Sequence, residues 1–165
     1  MEDRTYTERF GGREVTHSDV LHISAGHPLA TVVGDLADAP QIASDQYDCV
    51  ILTQTLQYIY DTRAAVRTLL RILKPGGTLL ATFPGLSRTA DLGWNASWYW
   101  NLTSRSAKRL FEEVFSAGNV EVEASGNLFA ATAFLHGLAQ SDLAPGDLEP
   151  NDEEFEVTIA VRARK

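Results

Sequence analysis

Three polar positions, each placed just after a strand candidate, are the residues of this chain best suited to chemistry. Asp19 follows residues 14–18, Asp35 follows residues 30–34, and Thr53 and Gln54 follow Cys49-Val50-Ile51-Leu52. Carboxylates accept hydrogen bonds from hydroxyl and amino groups, while hydroxyl and amide side chains both donate and accept. In an open α/β sheet such groups gather beyond the carboxyl ends of the strands, where the loops diverge. The four residues therefore belong to one edge and describe a polar grip on a ligand. No triad or metal cluster accompanies them, and His17, His22, His27 and His136 have no metal-ligand spacing. His22 is read either as a general base or as a surface histidine, and no catalytic residue is assigned.

The elements that must position this edge are legible from residue 47 onward. Cys49 to Leu52 and Leu79 to Phe83 are apolar runs bounded by turn residues, the pattern of strands buried on both faces of a parallel sheet. Between them Val66, Leu69, Leu70 and Leu73 recur at helical spacing, with Asp61 placed as a cap and Arg63, Arg67 and Arg71 expected to face water. Pro75 stops the helix, and Gly76 and Gly77 tolerate the positive φ that turns the chain into the next strand. The unit is a βαβ crossover. Further on, Thr103 or Ser104 caps a helix carrying Ala107, Leu110, Phe111, Val114 and Phe115 and ending at Gly118. Val120 and Val122 open a strand, residues 128–138 form a helix, and Phe155, Val157, Ile159 and Val161 alternate as an antiparallel strand.

An acid-opened strand at Asp48, the Thr-Gln-Thr-Leu-Gln turn at 53–57, a helix, and then Leu-Lys-Pro-Gly-Gly at 73–77 resemble the class I S-adenosylmethionine-dependent methyltransferases, in particular the type 11 methyltransferase domain. The resemblance implies an α/β fold: a Rossmann-like, mostly parallel sheet with helices on both faces and a C-terminal antiparallel strand pair. It implies S-adenosyl-L-methionine as cofactor. Asp19 would then accept from the ribose hydroxyls with Val20 against the adenine, Asp35 with Leu36 would hold the adenine amino group, and Thr53 and Gln54 would line the methionine end. Glu2 and Asp3 stand as the remnant of an acid-Gly turn, with Tyr6 as its aromatic lid. Tyr58, Trp98 and Trp100 are the substrate-facing candidates. The cluster Trp94, Trp98, Tyr99 and Trp100 either lines a pocket for an apolar or sugar acceptor or packs its loop onto the helix near Thr103.

Composition narrows the field. The 165 residues, 44% hydrophobic and 22% charged, suit one domain, with residues 1–13 an atypical N-terminal loop and 142–155 an acidic loop. A net charge of −8 argues against nucleic acid as partner. Without a spanning or leader-like apolar segment the expected location is the cytoplasm. The single cysteine, Cys49, excludes an internal disulfide and reads as a small core residue. The expected partner is a small-molecule acceptor, a sugar or secondary metabolite. A noncatalytic, truncated relative acting in binding or assembly is the alternative. A nicotinamide-dependent oxidoreductase would need a Gly-x-Gly-x-x-Gly turn that the sequence lacks.

One departure from the resemblance stands out. Residues 1–13 are too polar for the central first strand that such folds place between their second and fourth strands. Backbone accounting then demands that residues 14–18 pair directly with Cys49 to Leu52, or that another chain fills the gap by self-association.

Overall fold

The computed structural model describes residues 6–87 and 97–165. The βαβ unit forms as the sequence indicates. Strand β3 (Tyr47–Thr53) lies parallel to β4 (Leu73–Pro84), with Val50 opposite Leu79 and Leu52 opposite Ala81. Helix α2 (Thr62–Ile72) connects them, and the Asp61 carboxylate accepts from the Ala64 N–H at 2.9 Å, satisfying one of the free donors of its first turn. Val66 and Leu69 are fully buried, each stabilising the fold by about 1.5–3 kcal/mol. At the end of the unit Gly76 takes φ +80°, while Gly77 is required for a different reason: a Cβ there would lie 2.9 Å from the Lys74 carbonyl and 3.1 Å from that of Asp48.

Two antiparallel neighbours complete the main sheet. Strand β6 (Thr158–Arg164) pairs with β4 on one side and with β5 (Val120–Ser125) on the other, giving the order β3-β4-β6-β5. The alternation read from Phe155 thus becomes regular strand from Thr158. Leu52, Leu79, Ala81, Phe83, Ile159, Val161 and Ala163 share one face, and they form a single core with α2 and with α3 (Ser104–Glu112). Thr103 caps α3 as expected, but the helix ends at Glu112 instead of Gly118. The Glu156 carboxylate also sits at its N-terminus, accepting from the Ser104 N–H at 2.7 Å and from its hydroxyl. The acid that immediately follows the 142–155 loop is therefore a helix cap. Helix α4 is Leu128–Leu135.

The first third departs furthest from expectation. Residues 6–10 are a short helix, α1 (Tyr6–Phe10), followed by a 3-10 turn at Gly12–Glu14, where a loop was expected. Residues 15–18 form no strand. Instead β1 (Leu21–His22) and β2 (Val32–Val33) pair in parallel as a separate two-stranded sheet, so the direct pairing of residues 14–18 with β3 does not occur. Arg71 explains part of how this region is held. It does not face water; its guanidinium donates to the carbonyls of Ile42 at 2.6 Å and Ala39 at 2.7 Å.

Strand β3 consequently has one free edge among the described residues. The Gln54 N–H donates to the Thr82 carbonyl, and since backbone direction alternates along a strand, Val50 and Leu52 turn their amides to β4 while Cys49 and Ile51 turn theirs outward. Cys49 is exposed and not a core residue as its apolar neighbours suggested. Partial covering still holds its thiol pKa above the ordinary cysteine value. In hydrogen exchange the Cys49 and Ile51 amides should exchange well ahead of those of Val50 and Leu52. A disulfide reagent should label Cys49 in the native state, faster as pH rises and the thiolate fraction grows. Protected amides at Cys49 and Ile51 in a chain shown to be monomeric would mean that the edge is covered.

Candidate functional site

The Asp19 carboxylate is a junction. Its Oδ1 accepts from the Thr31 hydroxyl at 2.9 Å, and its Oδ2 from the Tyr47 hydroxyl at 2.9 Å and from the His17 ring at 3.0 Å. Burial alone would raise its pKa, but the three hydrogen bonds together outweigh this and lower it. Tyr47 shows the reciprocal effect, pushed up to about 12 by burial and by the Asp19 acceptor. Val20 is drawn into the same joint, donating its N–H to Thr31 Oγ1 at 2.8 Å. Sequence reading missed Tyr47 because nothing in its pattern pairs it with an acid twenty-eight positions away.

Asp35 follows β2 and is exposed. Its Oδ1 caps the 3-10 turn Leu36–Asp38 by accepting from the Ala37 N–H at 2.8 Å. Its other oxygen makes no hydrogen bond among the described residues and stays free as an acceptor. Leu36 is buried in the main core and does not lie on the surface of the site. At the end of β3, Thr53 is half-buried, with its carbonyl accepting from the Thr55 hydroxyl at 2.8 Å. Gln54 is exposed with φ +47°, a left-handed backbone that non-glycine residues adopt at a cost of about 1–3 kcal/mol and that clusters at functional sites.

Beyond Gln54 the chain meets the aromatic loop. Tyr99 donates its N–H to the Gln57 carbonyl at 2.8 Å, and Trp100 donates its indole N–H to the Ile59 carbonyl at 3.0 Å. Tyr58 meets Trp98 edge-on at 5.2 Å, and Tyr60 contacts Tyr99 at 5.3 Å and Trp100 at 5.8 Å between ring centres. The aromatics therefore dock on the turn after β3 and leave Tyr60 and Tyr99 largely exposed. Beneath them Gln57, which sequence reading passed over, is 2% exposed, and its Oε1 has no hydrogen-bond partner among the described residues. Such an orphan acceptor costs about 1–3 kcal/mol until a donor reaches it.

The remaining candidates lie apart or outside view. Tyr6 is half-exposed on α1 and its ring meets Phe10 at 6.2 Å. Helix α1 reaches the Asp19 segment through Thr7, whose hydroxyl lies 2.8 Å from that of Ser18. Asp3 and Trp94 fall outside the described residues. His22 is held in a turn with Ser24 and stacks on His27 at 4.4 Å. No group of acids, histidines or cysteine among the described residues forms a metal site.

Replacing Asp19 tests its role as a joint. Its lowered pKa means that its contribution is present above the unfolded value near 4 and is lost as pH falls below that value and through the lower folded-state pKa. Asp19→Ala should destabilise the chain by about 1–3 kcal/mol at pH 7, since it strands the Tyr47 hydroxyl, and should flatten the acid limb of the stability curve. Unchanged denaturant midpoints at pH 7 and 4 would remove Asp19 from this role.

Comparison with known proteins gives the following matches. The family described as "Methyltransferase domain" matches residues 11–81. Among solved structures, an S-adenosylmethionine-dependent methyltransferase from Archaeoglobus fulgidus matches with TM-score 0.54 and 13% identity, over 88% of this chain and 74% of that one. A Thermotoga maritima protein described as a possible histamine N-methyltransferase matches with TM-score 0.52 and 20% identity, over 83% and 65%. A Haloferax volcanii protein solved with the Trm112 methyltransferase activator matches with TM-score 0.51 and 21% identity, over 81% and 59%. The chain thus spans under two thirds of the length of the last two. No curated protein sequence matches it.

Proposed function

We propose, from the match of residues 11–81 to the methyltransferase domain family and from a fold shared with S-adenosylmethionine-dependent methyltransferases, that the chain transfers a methyl group to a small-molecule acceptor. The observation that supports the reading is that Asp35 follows the end of β2 and the strained Gln54 the end of β3, with the aromatic loop docked on the turn after Gln54.

The residues present fit S-adenosyl-L-methionine in part. The free Asp35 oxygen is a suitable acceptor for the adenine amino group, and Gln54 offers an amide to the methionine end. Asp19 has three of its acceptor positions filled, which leaves one for a ribose hydroxyl. Leu36 is buried, so adenine would have Val20 alone of the two apolar candidates to lie against.

When bound, the cofactor supplies an already activated methyl group, so the protein's task is orientation more than acid–base work. Asp35 and Gln54 would fix the donor from two strand ends held by one scaffold. The exposed faces of Tyr60 and Tyr99 would hold the acceptor and exclude water from it, which suits a sugar or another secondary metabolite. The Gln57 Oε1 would accept a hydrogen bond from an amine or hydroxyl of a substrate that displaced the covering side chains.

The demethylated product, S-adenosylhomocysteine, should raise the melting temperature, since ligand at a hundred times its Kd adds about 2.7 kcal/mol. Asp35→Ala should weaken that binding by about 1–2 kcal/mol, roughly 5- to 30-fold in calorimetric titration, while leaving the unliganded melting temperature close to wild type. No shift at millimolar product would refute the reading. Binding without turnover across a panel of sugars and amines would favour the second reading, a noncatalytic binding or assembly protein, to which the free edge of β3 also points.

A further inference from the structure

We propose that helix α4 and the loop beside it form a docking surface for a basic amphipathic segment of a partner protein. Helix α4, Leu-Phe-Ala-Ala-Thr-Ala-Phe-Leu, is apolar almost all round, a composition expected of a helix buried on every side. Only Ala131 and Ala133 are buried. Leu128, Phe129, Phe134 and Leu135 are 57%, 51%, 47% and 62% exposed, and Leu138 beyond them is 48% exposed. Isolated surface leucines need no explanation, but four large apolar side chains on one short helix, with a fifth just beyond its end, are exposed apolar surface of the kind that marks an interface.

The surroundings indicate what covers it. Asn127 caps α4 and also ties the neighbouring loop to it, its Nδ2 donating to the carbonyls of Asp147 at 3.1 Å and Pro150 at 2.8 Å. Asn151 adds a second tie by accepting from the Gly126 N–H at 2.9 Å. Between helix and loop runs an open groove of about 680 Å³ with Leu128, Phe129 and Pro150 as its apolar lining and Asp147, Asp152 and Glu153 as its acidic rim. From Gly126 to Phe155, the stretch that holds the helix and the loop, the chain carries six Asp and Glu residues and no Lys or Arg. An apolar strip in a purely acidic field is complementary to a helix or extended segment with apolar anchors and Lys or Arg on its flanks. The same field repels nucleic acid, anionic lipid and a second copy of this acidic chain.

The probe is a fluorescein-labelled leucine–lysine amphipathic peptide, read by fluorescence polarisation against the whole chain. A leucine–glutamate peptide of the same pattern and a scrambled, non-amphipathic leucine–lysine peptide serve as controls. Only the amphipathic basic peptide should bind. Its affinity should drop at least tenfold in Phe129→Ser/Leu135→Ser, whose exposed positions leave the fold intact as checked by melting temperature, and several-fold in Asp152→Asn/Glu153→Gln. It should also weaken with added salt. Equal binding of the scrambled peptide, or no loss in the serine variant, would overturn the proposal in favour of diffuse charge attraction. Concentration-dependent dimers in sedimentation that vanish in the serine variant, or binding of the chain to phosphatidylserine vesicles, would overturn it in favour of a second copy or a membrane.

Discussion

The structure turns on how two sheets that share no strand pairing are held together. The β1–β2 pair is too short to be stable by itself, and its union with the main sheet depends on side chains doing what a backbone ladder does elsewhere. The Asp19 carboxylate gathers Thr31, Tyr47 and His17 at one end. The Arg71 guanidinium gathers the carbonyls of Ala39 and Ile42 at the other. Leu21 and Val50, which pack between the two hydrophobic clusters, complete the seam. The seam sets the relative position of Asp35, on one side of it, and Gln54, on the other. Whatever grips a ligand with both relies on these few contacts for their relative position.

The parts of the fold that could be read from the chain are those where one periodicity dictates one structure. The βαβ unit carries its own cap, stripe and stop, and each functions as its residue type implies: Asp61 caps, Val66 and Leu69 pack, Gly76 turns. Strand β6 announces itself by alternation. The first third carries no such redundancy. Residues 14–18 have strand-like residue types, but with no neighbouring strand to pair with, their backbone goes elsewhere, and the strand forms instead where Val20 and His22 can meet Val32 and Gly34. Cys49 was misjudged by the same token: an apolar run predicts burial only if both flanks of the strand are covered.

Of the candidate site, the polar ends of the strands were legible and their engagement was not. Asp35 and Gln54 stand exposed at strand ends, whereas Asp19, chosen by the same reasoning, spends its hydrogen bonds within the protein. Types and spacing say where a carboxylate will be; they do not say which hydroxyls the fold brings to it. Likewise the aromatic loop was visible, but that it would fasten onto residues 57–60 through backbone and indole N–H groups depends on a contact between segments some forty residues apart.

The strand order also bears on how the polypeptide is made. Strand β6 lies between β4 and β5 although it is the last of the three in sequence. Emerging from a ribosome, β3, α2 and β4 can close on themselves as soon as Pro84 is free. Strand β5 then waits, with no strand partner on either side, while the acidic and apolar stretch 126–157 is synthesised. During that interval the growing chain exposes both edges of β5 and the still unpaired edge of β4 at once, so the synthesis of residues 126–157 is a period of vulnerability to misassociation.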